Sequence, residues 1–439
     1  MSKKIIVAGA GHGGLVAAAY LAEQGYAVEV FEKKKREDLG YDWHDTIGRD
    51  TFEYAGIKEY DSSELYPRRN STFYAPSLKT PVSFDVEPGR EAWEIERKTL
   101  YDYLIKNAET KGVKMNYSVN ISGPLLDKND NVSGIIADGK EIPADLVIDS
   151  AGLFSPVIAG LPAKYGIFDT YTNRDIFHTY RAYYNLVEGV KTENMERFNI
   201  YFRFSGIKGI AWFKISEGMA DFLIGSVEPL DFEKVQLVLK EMRKVQPALG
   251  HDLLRGGQII DIPIKSTHSL LVGNNYAAVG DVVSMPTPLN GSGITNAAKA
   301  GAMLAETIME IDKAGKAYTV DELWNYQVKY YKKVAGSMIA NGILKNCLLD
   351  FSKKTLNFFF DREILTAKEL AGNGKAMKMD RAEVMGKLKR GLAKPLSLLK
   401  LKSAVDKSKE AKSHAAAIPE VYEKTVVEEW RKKLEAYIK

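Results

Sequence analysis

Cysteine is almost missing from this chain: Cys347 is the single example in 439 residues. One thiol cannot form an intrachain disulfide, an all-cysteine metal site or a self-contained iron–sulfur cluster. That fits a reducing cytosol. Long apolar runs are missing as well. No stretch of 18 or more apolar residues occurs, so no spanning helix is expected. The first strand begins at residue three or four, which leaves no room for a secretory leader, and the expected location is cytoplasmic. The histidines are scattered; His178, His251 and His268 lack metal-ligand spacing, and no metal site is expected. No Ser/His/Asp elbow is present, and basic residues are not interleaved with aromatics as in a nucleic-acid binder.

A large net charge is also absent, but the +4 balance is uneven. Residues 351–439 hold 21 Lys and Arg against 12 Asp and Glu, which leaves the other residues at five negative. A basic tail on a mildly acidic body points either to a solvated helical face or to an anionic partner surface. Within the tail, Gly391–Lys402 interleaves leucines and lysines around Pro395. Peripheral membrane contact and packing against the body or a second copy both explain it, and the oligomeric state stays open.

The amino-terminal segment is the most informative part. Ile5, Ile6 and Val7 read as a fully buried strand, followed by Gly9, Gly11 and Gly14 at Gly-x-Gly-x-x-Gly spacing. An alanine-rich helix, Leu15–Gly25, comes next, then a second strand, Ala27–Phe31, ending at Glu32. This is a β-α-β unit with an acid about 20 residues after the glycines, the pattern of a dinucleotide site. The first glycine permits the turn, the second lets a pyrophosphate approach and the third lets helix and strand pack closely. The helix N-terminus offers free N–H groups and positive dipole to the phosphates. Glu32 is placed to take the ribose hydroxyls.

Further along, residues 33–67 read as irregular, Glu96–Gly112 as a helix and Val113–Tyr117 as a strand. Val132–Ala137 and Glu141–Ile142 flank a turn at Asp138-Gly139, and Ala144–Gly152 is another buried strand running into a glycine. Residues 177–227 turn aromatic and β-rich, as in an antiparallel sheet. Asp231–Val245 reads as an amphipathic helix with Asp231 as N-cap. The strand–glycine–acid texture returns at Tyr276–Asp281, a helix follows over 293–311, and everything after Tyr318 reads as helical.

Three separated patches are similar to flavoprotein reductases and hydroxylases of the glutathione-reductase-like, para-hydroxybenzoate-hydroxylase-like type, and most resemble the geranylgeranyl reductases. They are GAGHGG with Glu32, the run Asp145–Ser155, and Gly280–Asn296. The resemblance covers residues 1–310, with the tail outside it. It implies an α/β (α+β overall) architecture: a Rossmann-like FAD-binding lobe with a mixed sheet, an inserted antiparallel substrate lobe, and a C-terminal helical extension. The expected divisions are 1–75, 96–165 and 265–311 for the FAD lobe, 76–95 and 166–264 for the substrate lobe, and 312–439 for the helical region. The FAD-binding residues it implies are Gly9, Gly11, His12, Gly13, Gly14, Glu32, Lys33, Arg97, Val119, Ala151, Gly152, Gly280, Asp281, Pro288, Gly291, Gly293 and Ile294. Asp281 would bond the ribitol chain, and Arg97 would lie over the cofactor phosphates.

The chain departs from the hydroxylases at Ala151-Gly152, where they carry Asp-Gly, and at Ile158, where they often carry arginine. That weakens a monooxygenase reading. The run Gly209–Lys214 followed by Ile224-Gly225 is similar to a shortened Tyr-x-Trp-x-Phe-Pro-Lys…Gly-x-Gly pattern of the geranylgeranyl reductases. The early cysteine of some relatives has no counterpart. The resemblance places Tyr41–Thr46 near the flavin ring. There, His44 is the candidate proton donor, Asp45 its orienting acid and Trp43 a stacking partner. Tyr183, Tyr201, Phe204 and Trp212 are candidate walls of an apolar substrate pocket.

The expected activity is therefore reduction of a C=C bond in an apolar, isoprenoid or lipid-like substrate by hydride transfer from FAD. NADPH, NADH or a reduced carrier protein would supply the electrons. An NAD(P)H-dependent monooxygenase and a flavin electron-transfer protein are the alternatives.

Overall fold

The strand Lys4–Ala8 is apolar on both faces and buried on both, as a central parallel strand must be. The computed structural model describes residues 3–68, 70–191, 194–371 and 381–438. Lys4–Ala8 pairs in parallel with Ala27–Glu32 on one side and Leu146–Asp149 on the other. Lys114–Tyr117 and Tyr276–Ala278 extend the sheet outward, and Val272–Gly273 closes one edge as an antiparallel pair. Strand order reverses at Lys4–Ala8, the topological switch point where α/β sheets bind ligands. Lys4–Ala8 and Tyr276–Ala278, far apart along the chain, thus flank the same strand, Leu146–Asp149.

The helix His12–Glu23 packs on this sheet and against Ile294–Lys313. The approach is close. A Cβ at Gly13 would stand 2.5 Å from Val279 Cγ2, and one at Gly14 2.6 Å from Ser150 Cβ. Arg97–Thr110 covers the region between residues 96 and 112 expected to be helical.

The second lobe is a seven-stranded sheet in the order Leu249–Pro263, Ile176–Leu186, Met219–Ser226, Gly209–Ser216, Phe198–Phe202, Asn70–Tyr74, Val82–Asp85. Its pairings are antiparallel except that of Phe198–Phe202 with Asn70–Tyr74, which is parallel. The sheet is therefore mixed rather than purely antiparallel. Asn70–Tyr74 also carries this lobe into residues assigned by sequence to the FAD lobe. The helix Phe232–Val245 covers one face, and its Asp231 side chain accepts from Lys234 N at 2.8 Å, as an N-cap should.

A small sheet of His44–Ile47, Ala92–Glu96 and Tyr66–Arg68 lies between the lobes. The region from 33 to 67, expected to be irregular, thus contains an ordered strand. Beyond residue 318 the described residues are helical. Gly336–Asp350 packs along Pro395–Ala416, and Lys424–Ile438 joins them through Trp430, whose Nε1 donates to His414 O at 3.0 Å. Among the described residues no helix is long and apolar enough to cross a membrane.

Candidate functional site

Parallel register sets the site. Ala8 pairs with Phe31 on one side and Asp149 on the other, and Asp149 pairs with Ala278. Gly9–Gly14, Glu32, Gly152 and Asp281 therefore all follow the carboxyl ends of four adjacent strands. The sequence-derived cofactor residues converge on one edge, although they lie far apart along the chain.

The glycines divide into two kinds. Gly9 has φ +82°, and a Cβ there would stand 2.6 Å from Ala151 Cα, so it serves the turn and close packing. Gly152 (φ +84°) and Gly280 (φ +91°) have no atom within 4 Å of where a Cβ would project. They leave a cradle open beside Asp281. The Asp281 carboxylate has no hydrogen-bond partner among the described residues, and burial pushes its pKa up although Arg97 pulls it down. A half-buried carboxylate without donors is costly unless water or a ligand supplies them. Polyol hydroxyls fit that requirement.

The rest of the nucleotide edge is consistent. The Glu32 carboxylate accepts from Ala10 N at 2.8 Å and Lys34 N at 2.9 Å, which holds it against the glycine turn. Val119 N donates to Glu32 O at 3.0 Å, and the Lys33 side chain is exposed beside them. No side chain caps the His12–Glu23 helix, and its first turn holds no acid. The His12 ring lies 4.7 Å from that of Tyr101; its Nε2 is enclosed without a partner, and burial lowers its pKa to about 3. Gly293 caps Ile294–Lys313, and Gly291 N donates to Thr287 O at 2.8 Å in the loop that carries Pro288. These residues fit FAD.

Arg97 is paired within the chain. Its guanidinium is hydrogen-bonded to Asp45, and the Tyr41 ring centroid lies 5.4 Å away. Burial alone would raise the Asp45 carboxyl, but Arg97 holds it below the usual carboxylate range. Asp45 therefore does not orient His44. Strand alternation sends the two side chains to opposite faces: Asp45 to the cofactor lobe, His44 to the large sheet. Trp43 is buried and stacked on Tyr41 at 4.5 Å, which makes it an internal anchor rather than a stacking surface for a ligand.

On the His44 side, the groups converge. Tyr183 Oη accepts from His44 N at 3.0 Å and from Arg181 Nη2 at 3.1 Å, and lies 3.2 Å from His44 Nδ1. Glu96 Oε1 is 3.2 Å from Nδ1, and Glu217 Oε2 is 3.6 Å from Nε2. Burial lowers the His44 pKa, while Glu96 and Glu217 oppose the shift. Arg255 holds Glu96 at 2.6 Å and Asp42 at 3.2 Å. Beneath them, Arg181 and Asp221 form a buried bidentate pair of 2.9 and 2.6 Å, and Lys214 bridges Asp221 to Glu94. Sequence reasoning passed over Arg181, Asp221, Glu96, Glu217 and Arg255, and reached Lys214 only as the end of the Gly209–Lys214 run. Charges recurring inside otherwise apolar strands were the available signal.

Sheet alternation also divides the four aromatic candidates. Tyr183 and Trp212 share the Arg181 face, with Trp212 5.3 Å from the Arg181 guanidinium. Tyr201 and Phe204 lie on the opposite face, under Phe232–Val245, and both are buried there. Tyr201 stacks on Tyr74 at 4.7 Å, and its hydroxyl accepts from Gln246 at 2.8 Å. Those two are core residues, not substrate contacts.

Comparison with known proteins agrees with this architecture. Residues 7–55 match the NAD(P)-binding Rossmann-like domain family, and residues 69–171 match the tryptophan halogenase family. The chain is 24% identical to a digeranylgeranylglycerophospholipid reductase of Methanosarcina mazei over 80% of this chain and 86% of the relative. It is 26% identical to that of Methanothrix thermoacetophila over 80% and 89%. The fold resembles a geranylgeranyl bacteriochlorophyll reductase-like protein of Thermoplasma acidophilum, with a TM-score of 0.72, 20% identity and coverage of 92% and 99%. The structural likeness thus runs past residue 310 into the helical tail.

Proposed function

We propose that this chain, a FAD-dependent oxidoreductase of the geranylgeranyl reductase-like superfamily, saturates C=C bonds in isoprenoid chains of lipid-like substrates. The convergence of Glu32, Gly152 and Asp281 at one sheet edge carries this reading. Its relatives' reductase activity and the apolar cleft beside the Pro288–Gly291 loop support the choice of substrate.

Bound FAD, once reduced, supplies the hydride. The chain supplies position and a proton. Glu32 and the glycine turn take the adenosine end, and Asp281 takes the ribitol. Tyr183 Oη and Glu96 Oε1 both lie 3.2 Å from His44 Nδ1, and Glu217 Oε2 lies 3.6 Å from Nε2. The two carboxylates favour the protonated ring, against the burial that disfavours it. Protonated His44 is the proposed donor of a proton to the substrate carbon that does not receive the hydride, and becomes neutral; exposed Glu217 returns the proton from solvent. Tyr183 is a positioning residue that holds the ring in place.

NADPH, NADH or a reduced carrier protein is the proposed electron source. Peripheral membrane contact is proposed through Leu392, Leu396 and Leu399, which project outward at 70%, 80% and 59% exposure while Leu398 and Leu401 pack inward. Sedimentation with anionic vesicles tests that contact, and absence of lipid-dependent binding removes it.

The main test is an absorbance spectrum of purified protein, anaerobic titration with NADH and NADPH, and mass analysis of an isoprenoid product. A gain of two hydrogens per double bond supports the reading. A colourless protein that does not take up FAD overturns it, and an oxygenated product under air assigns a monooxygenase instead.

A further inference from the structure

The helix Gly336–Asp350 belongs to the tail, yet one of its faces looks into the body of the molecule. Met338, Asn341, Lys345 and Leu348 recur at helical spacing and share that face. At one end of the row, Met338 Sδ lies 3.4 Å from Asn296 Nδ2, which also donates to Met285 O at 3.1 Å. At the other end, Lys345 and Leu348 line an apolar cleft together with the Pro288–Gly291 loop. Helix geometry therefore places Asn341 between these two points, beside the loop 285–291.

Asn341 is 1% exposed, and neither its Nδ2 nor its Oδ1 has a partner among the described residues. A carboxamide carries two N–H donors and an acceptor oxygen with two lone pairs. Enclosing all of them unspent is unfavourable. Lys345, one turn further on, shows the usual solution: its Nζ donates to Arg174 O at 2.6 Å and to Ile264 O at 2.8 Å. A π-helical turn, Tyr331–Ala335, runs directly into this helix. Such turns are scarce and concentrate at functional sites. By adding a residue to the turn, this one sets the face on which Asn341 stands.

The chemistry of the missing partner is constrained. An isoprenoid chain has no donor or acceptor and cannot satisfy a carboxamide. The coenzyme can. With the adenosine end at Glu32 and the ribitol at Asp281, the isoalloxazine ring lies beyond Asp281, on the side to which the loop 285–291 leads. The pyrimidine edge of that ring presents an N3–H between two carbonyl oxygens, which is the complement of a carboxamide.

We infer that Asn341 hydrogen-bonds the pyrimidine edge of the flavin, so that the helical tail completes a coenzyme site otherwise built by the Rossmann-like lobe. The inference deepens the flavoprotein reading and rests on it.

The test removes the coenzyme and reloads the full chain with FAD or with 3-methyl-FAD, whose N3 bears no hydrogen. Flavin fluorescence gives each Kd. Asn341→Leu keeps the volume and discards the polar atoms. Its Kd for FAD is expected to rise by about fivefold or more, the worth of one net hydrogen bond. The parent should prefer FAD to 3-methyl-FAD, and the variant should lose most of that preference. The cofactor-free variant should unfold at a higher temperature than the cofactor-free parent, because an unsatisfied buried group is gone. Gain of stability with loss of affinity is a combination that a merely structural asparagine would not give. Asn341→Ser, read by Kd and preference alone, serves if the leucine variant does not fold. An unchanged Kd, an undiminished preference or a lowered unfolding temperature of cofactor-free Asn341→Leu overturns the inference. If the parent itself takes up no FAD, the flavoprotein reading fails; if parent and variant take it up equally, only the role of Asn341 fails.

Discussion

Tyr183 and His44 meet twice: the tyrosine hydroxyl accepts from the histidine backbone N–H at 3.0 Å and lies 3.2 Å from its ring Nδ1. One contact fixes the strand and the other the ring. His44→Gln is expected to lower kcat for alkene saturation by about 10²–10⁴-fold, the usual worth of a general acid. Flavin content and the rate of flavin reduction by the donor should stay as in the parent. Tyr183→Phe should lower kcat less and shift its pH profile, because the ring is no longer held in place. Stopped-flow separation of the two half-reactions distinguishes these outcomes.

Asp281 has no donor among the described residues, and the cradle beside it is open at Gly152 and Gly280. Asp281→Ala should weaken FAD retention by about tenfold or more, since charge-assisted hydrogen bonds are each worth roughly 1.5–3 kcal/mol. The ratio of flavin to protein absorbance after ultrafiltration measures the loss. Unfolding temperature of the cofactor-free protein should change little.

The pair of Arg181 and Asp221 is buried on the face shared with Tyr183. Asp221→Ala strands Arg181, leaves Lys214 with Glu94 alone, and should cost about 3–5 kcal/mol. Replacing the pair together, as Arg181→Met with Asp221→Leu, should recover part of that cost. Urea denaturation of the single and double variants provides the comparison.

His268 links stability to pH. Its Nε2 is 3.0 Å from Tyr171 Oη and its Nδ1 is 3.2 Å from Ile167 O, and burial lowers its pKa from 6.5 to about 4. The unfolded chain therefore binds the extra proton between those two values. The stability this group contributes is complete above about pH 6.5 and is lost as pH falls toward 4. His268→Gln should flatten the acid limb of a stability–pH curve by up to about 1.4 kcal/mol per pH unit. An unchanged slope would show that His268 does not carry it.

The cofactor edge was legible in the sequence because its signals are local. A turn that needs Gly9, an apolar strand such as Lys4–Ala8 and an acid at Glu32 each announce themselves within a few residues. The Asp231 cap was readable for the same reason. Tyr201 and Phe204 were not. Alternation says that they oppose Tyr183 and Trp212 only once strand pairing is known, and only the packing of Phe232–Val245 says which face is covered. The pairing of Arg97 with Asp45 was not readable, because the two are 52 residues apart. The long strand Leu249–Pro263 was passed over because its glycines and charges do not resemble a strand in isolation; it forms by pairing with Ile176–Leu186. The apolar cleft beside the Pro288–Gly291 loop required helices whose contacts with the sheet no local pattern encodes.

The central sheet takes its last parallel strand from Tyr276–Ala278 and its packing helix from Ile294–Lys313. During synthesis, then, the amino-terminal glycine turn emerges long before its counterpart at Gly280. Coenzyme loading must wait until Gly280 and Asp281 have left the ribosome, and a chain stopped before that point would present an exposed, incomplete strand edge with no means of holding its flavin.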